Sequence, residues 1–345
     1  MRARDWDESD VRVRPGRRGS RPRTKQRPSH ADAVAGLVTA VTRGRYDVLV
    51  GDRAVTAVAA RELGRGGVVV GDEVAVVGDL TGRDGSLARI VRVQERRTLL
   101  RRSSEDVGGI ERALVANADQ LVVVTALADP EPRTRMVDRC LVAAFEAGMD
   151  ALLCLTKADL ADPAPFLEHY TPLDVPAVVT HRDAVDRSVI LGAPEVAERL
   201  RGRTSVLVGH SGVGKSTLVN ALVPTASRAV GHVNAVTGRG RHTSTTAVAL
   251  ALPDGGWVID TPGVRSFGLG HVDDDDVVAA FADLAEVVTA CPPRCTHLER
   301  APGCALDAWL ARPGSDAREA ARVESLRRVL ASRRPDPDAY PTSTP

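Results

Sequence analysis

The sequence predicts a multidomain chain with an N-terminal β-barrel of the OB-fold kind, an α/β P-loop domain and a C-terminal helical zinc-binding module. Three observations predict it. Residues 36–97 hold five short apolar runs separated by Gly and Asp. Residues 98–270 alternate strand-like and helix-like stretches and contain one G-x-x-x-x-G-K-[ST] sequence. Residues 271–345 read as helical around a window that gathers three Cys and one His.

Residues 1–35 precede these parts as a basic arm expected to be disordered. From Arg12 to Arg27 there are eight Arg or Lys and no Asp or Glu, interrupted by Pro15, Gly16, Gly19 and Pro22. That composition cannot form a packed element and suits phosphate neutralisation, as on RNA. A merely solubilising tail would look the same. The barrel runs are Leu37–Val41, Tyr46–Val50, Ala54–Val58, Glu73–Val77 and Leu87–Val93. With Tyr46 their only aromatic residue, nucleic-acid contact there would fall to Arg43, Arg45 and backbone groups rather than to base stacking.

In the α/β region, strands are expected at Gln120–Thr125, Ala151–Leu155, Ala177–Val179, Ser205–Val208, Ala247–Leu252 and Trp257–Ile259. Helices are expected at Thr134–Ala147, Glu195–Leu200 and Lys215–Leu222. The P-loop sequence is Gly209-His210-Ser211-Gly212-Val213-Gly214-Lys215-Ser216, followed by Thr217. It lies between a strand and a helix, where backbone N–H groups can cradle phosphates. Lys215 reaches the β/γ-phosphates in such a loop, and the Ser216 hydroxyl ligates Mg²⁺.

Asp260-Thr261-Pro262-Gly263 closes the strand at Trp257–Ile259. A strand-end Asp serves the Mg²⁺, and the Gly263 N–H can sense the γ-phosphate. Thr156-Lys157-Ala158-Asp159 matches [NT]-K-x-D. Asp159 can accept the paired ring N–H and amino hydrogens of guanine, which adenine does not offer, and Lys157 can lay its stem over the base. The nucleotide is therefore read as GTP with Mg²⁺. Thr156 stands where Asn is usual, which weakens the expected tie between this loop and the P-loop.

Lysine usage supports both motifs. Of 46 Lys plus Arg residues only Lys25, Lys157 and Lys215 are lysine. A chain that otherwise uses arginine retains the slim ammonium at two of the positions where a guanidinium cannot replace it.

Between Ser216 and Asp260 lies Gly238-Arg239-Gly240-Arg241-His242-Thr243-Ser244-Thr245-Thr246, a switch-like loop in which Thr243 or Thr245 is the expected Mg²⁺ ligand. Val264 occupies the place of a water-orienting Gln. The catalytic group is therefore sought elsewhere, and His242 is the candidate. The guanine reader precedes the P-loop, the reverse of the usual order, so the domain is read as circularly permuted. Loops meeting at one sheet edge still build one site.

Cys291-x3-Cys295-x-His297-x6-Cys304 supplies a Cys3His set for one closed structural Zn²⁺. Cys140 and Cys154 lie in apolar contexts and read as core. Asp273–Asp276 precede a helix, and a second spans Ala317–Ser332. No apolar run approaches the ~18 residues of a membrane helix, and the N-terminus lacks the apolar stretch of a signal peptide. A cytoplasmic monomer without membrane contact is the expectation.

The order of parts resembles the bacterial small-ribosomal-subunit-dependent GTPases, the RsgA (YjeQ) family. The likeness includes Arg21-Pro22-Arg23-Thr24-Lys25, Val115–Gln120, Gly240-Arg241-His242-Thr243, Ile259 through Leu269 and Pro302-Gly303-Cys304. The resemblance implies an OB-fold, a circularly permuted GTPase domain and a zinc domain. It implies GTP hydrolysis stimulated by the small ribosomal subunit during late maturation, and 16S rRNA contact by the two flanking domains. It also implies a catalytic role for a switch-loop histidine, which His242 matches. Family members often space the metal residues x4 and x5 rather than x3 and x6, and the fifth guanine loop falls near Val179-Thr180-His181. The competing reading is a GTP- or GDP-responsive RNA-binding scaffold with little turnover.

Overall fold

The computed structural model describes residues 30–42, 44–64, 66–103, 111–224, 247–261, 273–279 and 281–332. The basic arm up to residue 29, Arg43, and the segments holding His242, Thr243, Thr245, Gly263 and Val264 lie outside the described residues.

Five strands form the barrel: β1 (Val34–Thr42), β2 (Arg45–Val50), β3 (Arg53–Ala59), β4 (Glu73–Gly78) and β5 (Ala88–Val93). They close in the order β1-β2-β3-β5-β4-β1, with β3 and β5 parallel and the other pairs antiparallel, the pairing of an OB-fold. Alternating residues turn inward, so Val38, Val48, Val55, Val74, Val76 and Ile90 fill the interior. β1 bends at an irregularity between Val38 and Ala40. Before the bend it pairs with β4, and after it Ala40 pairs with Val248 of the second sheet.

A hairpin of β6 (Leu99–Ser103) and β7 (Glu111–Ala116) follows the barrel. The junction is polar and buried. Asp72, fully buried, accepts hydrogen bonds from the Val69 N–H and from Arg96 Nε and Nη2 at 2.7–2.8 Å. Asn117 donates to Gly71 O at 2.9 Å and accepts from the Arg97 N–H at 2.8 Å. Breaking one partner of such a set leaves a buried charge or amide unpaired, so these bonds fix orientation more than they add net stability.

The second sheet comprises β8 (Gln120–Ala126), β9 (Asp150–Thr156), β10 (Ala177–Val179), β13 (Thr204–Val208), β14 (Val248–Ala251) and β15 (Trp257–Asp260). Its order is β10-β9-β8-β13-β15-β14, parallel except for β14. β11 (His181–Arg182) and β12 (Ile190–Leu191) make a separate small hairpin. All seven residues of β8 are buried, as a central strand covered on both faces requires. Alternate residues enter different cores. Leu121 and Val123 join α1 (Thr134–Glu146) and the C-terminal helices, whereas Val122, Val124 and Ala126 join α3 (Ala193–Leu200) and α4 (Lys215–Leu222). Chain order and sheet order disagree in the way the permuted motifs predict: the P-loop strand β13 is central yet comes after β8 and β9.

Past the sheet come α5 (Asp274–Ala279), α6 (Ala282–Val288), α7 (Ala305–Leu310) and α8 (Ala317–Ser332). α2 (Ala164–Tyr170) sits after β9. α8 buries Val323, Leu326, Val329 and Leu330 in the core shared with α1. Arg328 pairs with the buried Asp138 of α1 at 3.2 Å and lies over the Tyr170 ring. Burial holds the Asp138 carboxyl above its ordinary range, against the smaller opposing pull of Arg328. Cys140 and Cys154 are buried, and burial pushes the Cys154 thiol up to about 12. Among the described residues, no helix is long and apolar enough to cross a membrane.

Candidate functional site

Three loops meet at the carboxyl edge of the parallel sheet, the edge where open α/β folds bind ligands. The first follows β13. Gly209 packs so closely on β8 that a Cβ there would lie 2.5 Å from Val124 O. Gly214, at φ +92°, turns the chain into α4, a conformation that favours glycine. Lys215 opens α4. Its ammonium donates to Asp260 Oδ1 and, at 3.2 Å, to Thr261 O. Ser216 is exposed on the first turn of α4, Val213 is buried, and His210 Nδ1 bonds Ser211 O at 2.9 Å.

The second loop follows β15, where Thr261 Oγ1 donates to Leu207 O at 2.7 Å and ties the strand end to β13. The P-loop lysine and the strand-end aspartate, 45 positions apart, are thus in direct contact. That pairing places a cation and a carboxylate where a triphosphate and its metal would separate them.

The third loop follows β9. Thr156 Oγ1 donates to Val213 O, inside the P-loop, at 2.5 Å. The weakened tie expected from a Thr in place of Asn is not found: the shorter side chain reaches the P-loop carbonyl directly. Lys157 adopts φ +59°, and its ammonium bonds Asp129 O, so its stem bridges from the β9 loop to the segment after β8. The Ala158 N–H donates to Thr180 O at 3.3 Å, and the Thr180 N–H donates to Leu155 O at 2.6 Å. The segment at 179–181 therefore backs the Thr156–Asp159 loop. Asp159 faces Arg187 at 3.7 Å, from the turn between β11 and β12. Sequence reasoning missed Asp129 and Arg187, and it located Thr180 only within an unassigned, degenerate fifth guanine loop. Only Asp129-Pro130 carried a signal, that of a turn, and it says nothing about a partner.

The C-terminal window brings its four residues together. Ligand atoms of Cys291, Cys295, His297 and Cys304 all lie within 4.8 Å of one another. A tetrahedron with ~2.3 Å bonds has edges of ~3.7 Å, so shifts of about half an ångström per atom would seat one ion. Two observations fit a metal. The buried His297 Nδ1 has no hydrogen-bond partner, and an orphaned buried ring nitrogen is costly unless something binds it. The Ala305 N–H points at Cys291 Sγ at 3.2 Å, a bond that supports a thiolate. Burial pushes the Cys295 thiol up to about 11, which a bound cation would reverse. The x3 and x6 spacing thus converges through turns in which Arg294, His297 and Arg300 take positive φ.

A cavity of about 410 Å³ opens at the opposite, amino-terminal edge of the sheet, between Gln120, Asp150, Pro176, Arg199 and Arg203. It holds none of the motif residues. Gln120 there already bonds Ser205, and Arg203 already pairs with Asp150.

Comparison with known proteins agrees with this geometry. The RsgA GTPase family model matches residues 93–270. The small ribosomal subunit biogenesis GTPase RsgA of Ectopseudomonas mendocina is 43% identical over 245 residues, 68% of each chain. That of Chlorobaculum tepidum is 36% identical over 320 residues, covering 87% of this chain and 98% of that protein. Among solved structures, YjeQ from Thermotoga maritima superposes with a TM-score of 0.60 at 25% identity, covering 87% of this chain and 98% of its own. YloQ, described as a circularly permuted GTPase, gives 0.58 at 21% identity, covering 90% and 99%, a likeness of fold.

Proposed function

This chain belongs to the RsgA GTPase family and is a GTP hydrolase of ribosome biogenesis, and on that premise we propose that it binds the small ribosomal subunit and hydrolyses GTP there during late maturation. The observation that carries the proposal is the contact of Lys215 with Asp260 at the same sheet edge as Thr156–Asp159. The nucleotide site runs from Gly209 to Thr217, with Asp260, Gly263 and Thr156–Asp159. Asp159 reads the guanine edge and the Lys157 stem covers the base. With nucleotide bound, Lys215 would exchange Asp260 for phosphate oxygens, and the freed Asp260 carboxylate would help hold Mg²⁺. Ser216, with Thr243 or Thr245, would hold Mg²⁺, which neutralises charge developing on the phosphoryl oxygens.

His242 is the candidate for positioning the attacking water, because Val264 cannot. Cys291, Cys295, His297 and Cys304 hold one structural Zn²⁺ in this reading. Exposed Arg45 on the barrel, the basic arm and the metal-bearing end supply 16S rRNA contacts. The protein acts as a cytoplasmic monomer. Val264 also favours a second reading, a nucleotide-responsive RNA-binding scaffold that turns over little. Hydrolysis measured with and without purified small subunits separates the two. The proposal expects strong stimulation that His242→Ala abolishes. No stimulation in the wild type would overturn it in favour of the scaffold.

A further inference from the structure

We propose that Arg187 is a built-in competitor of guanine: its guanidinium occupies Asp159 when no base is bound and must leave when the base arrives. The inference deepens the reading of Asp159 as the guanine reader and rests on it.

Arg187 Nη1 lies 3.7 Å from Asp159 Oδ2, an ion-pair contact longer than a hydrogen bond, on the side chain assigned to the base. The chemistry of the two donors is alike. Guanine carries a guanidine unit within its ring, and its N1–H and 2-amino hydrogens form a parallel pair aimed at a carboxylate. An arginine fork presents the same pair. A carboxylate shaped to accept one accepts the other, and adenine offers neither.

The segment that delivers Arg187 is self-supporting. Asp183 Oδ1 accepts the N–H groups of Val185 and Asp186 at 2.8 Å. Asp186 Oδ1 accepts Ser188 N–H at 2.9 Å and Ser188 Oγ–H at 2.6 Å. The Asp183 N–H donates to Val189 O at 3.0 Å, closing the turn above the β11–β12 pair. Two Asx-type turns therefore hold the backbone at residue 187 without help from the nucleotide loops. The side chain itself is 62% exposed. It can swing into water with its turn intact, so displacement requires no unfolding.

An exposed ion pair is weak, so the competition sets a modest penalty. Arg187→Ala should tighten GDP binding about two- to fivefold. The gain should appear in the association rate, since the arginine acts on the empty site, with dissociation little changed. Raising salt from low to high ionic strength should bring the wild type toward the variant, because the pair is screened. Arg187→Lys, which keeps the charge but loses the fork, should fall between the two.

The test is stopped-flow binding of fluorescent GDP with Mg²⁺ to the full chain, in wild type, Arg187→Ala and Asp159→Asn. Faster association and tighter GDP binding by Arg187→Ala support the proposal. Unchanged or weaker GDP binding by Arg187→Ala, while Asp159→Asn loses GDP and gains xanthosine diphosphate, overturns it and leaves Asp159 as the reader. Undiminished GDP binding by Asp159→Asn overturns the reader assignment, and the proposal with it. In the Asp159→Asn background, where no carboxylate remains to pair, Arg187→Ala should leave xanthosine diphosphate affinity unaltered. A tightening of similar size there would also count against the competition.

Discussion

At the nucleotide edge, Thr156 meets Val213 across 57 positions of chain and Lys215 meets Asp260 across 45. In the Cys3His cluster, all four donors come from residues 291–304. The first group is brought together by a hydrogen-bonded parallel sheet whose strands are buried on both faces. It would be assembled with no ligand present. The second is brought together by turns and two short helices that borrow the main core through Leu284, Ala301, Cys304 and Leu306, and it leaves an imidazole nitrogen unpartnered. In the proposed reading, an ion would be the main tie among these turns. The difference shows why one site tolerates strand permutation, which leaves the meeting of loop ends intact, whereas the other depends on local spacing.

The largest expected effect breaks the metal side alone. Cys304→Ser, or exhaustive chelation, should remove zinc, measured by elemental analysis, and with it a binding term on the order of 10 kcal/mol. Hydrogen exchange should then show loss of protection from 282–310, while β8, β9 and β13 keep theirs. If the strands lose protection equally, the two regions are one cooperative unit and the comparison fails.

Next in size, Lys215→Ala should cut GTP hydrolysis by on the order of 100-fold or more without changing the thermal midpoint by more than a few degrees. A large loss of stability would mean that the Lys215–Asp260 contact is structural. A smaller effect is expected of Thr156→Val, which strips the P-loop carbonyl of Val213 of its donor. It should weaken GDP binding about tenfold, at a cost of about 1–2 kcal/mol, while Thr156→Ser should restore most of it.

The smallest effect tests the link between the regions, the Asp138–Arg328 pair joining α1 to α8. The folded-state pKa of Asp138 is raised above the unfolded 3.8. The neutral form is therefore favoured by folding. Its contribution is fully present below pH 3.8 and is lost as pH rises through the higher folded value. The stability difference between wild type and Asp138→Asn, from urea unfolding at several pH values, should favour the wild type most at the acid end. It should decline toward neutrality. A flat difference would contradict burial as the dominant influence on this carboxyl.

Motif-bearing loops were legible because each sits at a strand end with a local signature. The P-loop needs its glycines, and Lys157 and Lys215 stood out in an arginine-rich chain. The helices Lys215–Leu222 and Ala317–Ser332 appear at the bounds their sequences announced. The barrel strands differ from expectation mainly by a few terminal residues, because Val-rich alternation marks the middle of a strand better than its ends. What was not legible is pairing at long range. The β6–β7 hairpin is split by residues whose composition resembles a loop. The short α2 and α7 helices lack a full apolar period. No local feature of Thr156 says that its hydroxyl will find a carbonyl 57 positions away. Nor does Arg187, one arginine among many, announce Asp159 as its partner.

The bend in β1 has a mechanical consequence. Ala40 pairs with Val248, so barrel and nucleotide sheet form one continuous eleven-stranded ribbon. β14, the strand at that splice, begins two positions after the hydroxyl-rich run ends at Thr246, and its far neighbour β15 carries Asp260. A load borne by the barrel therefore has a route through one intervening strand to the strand that carries Asp260.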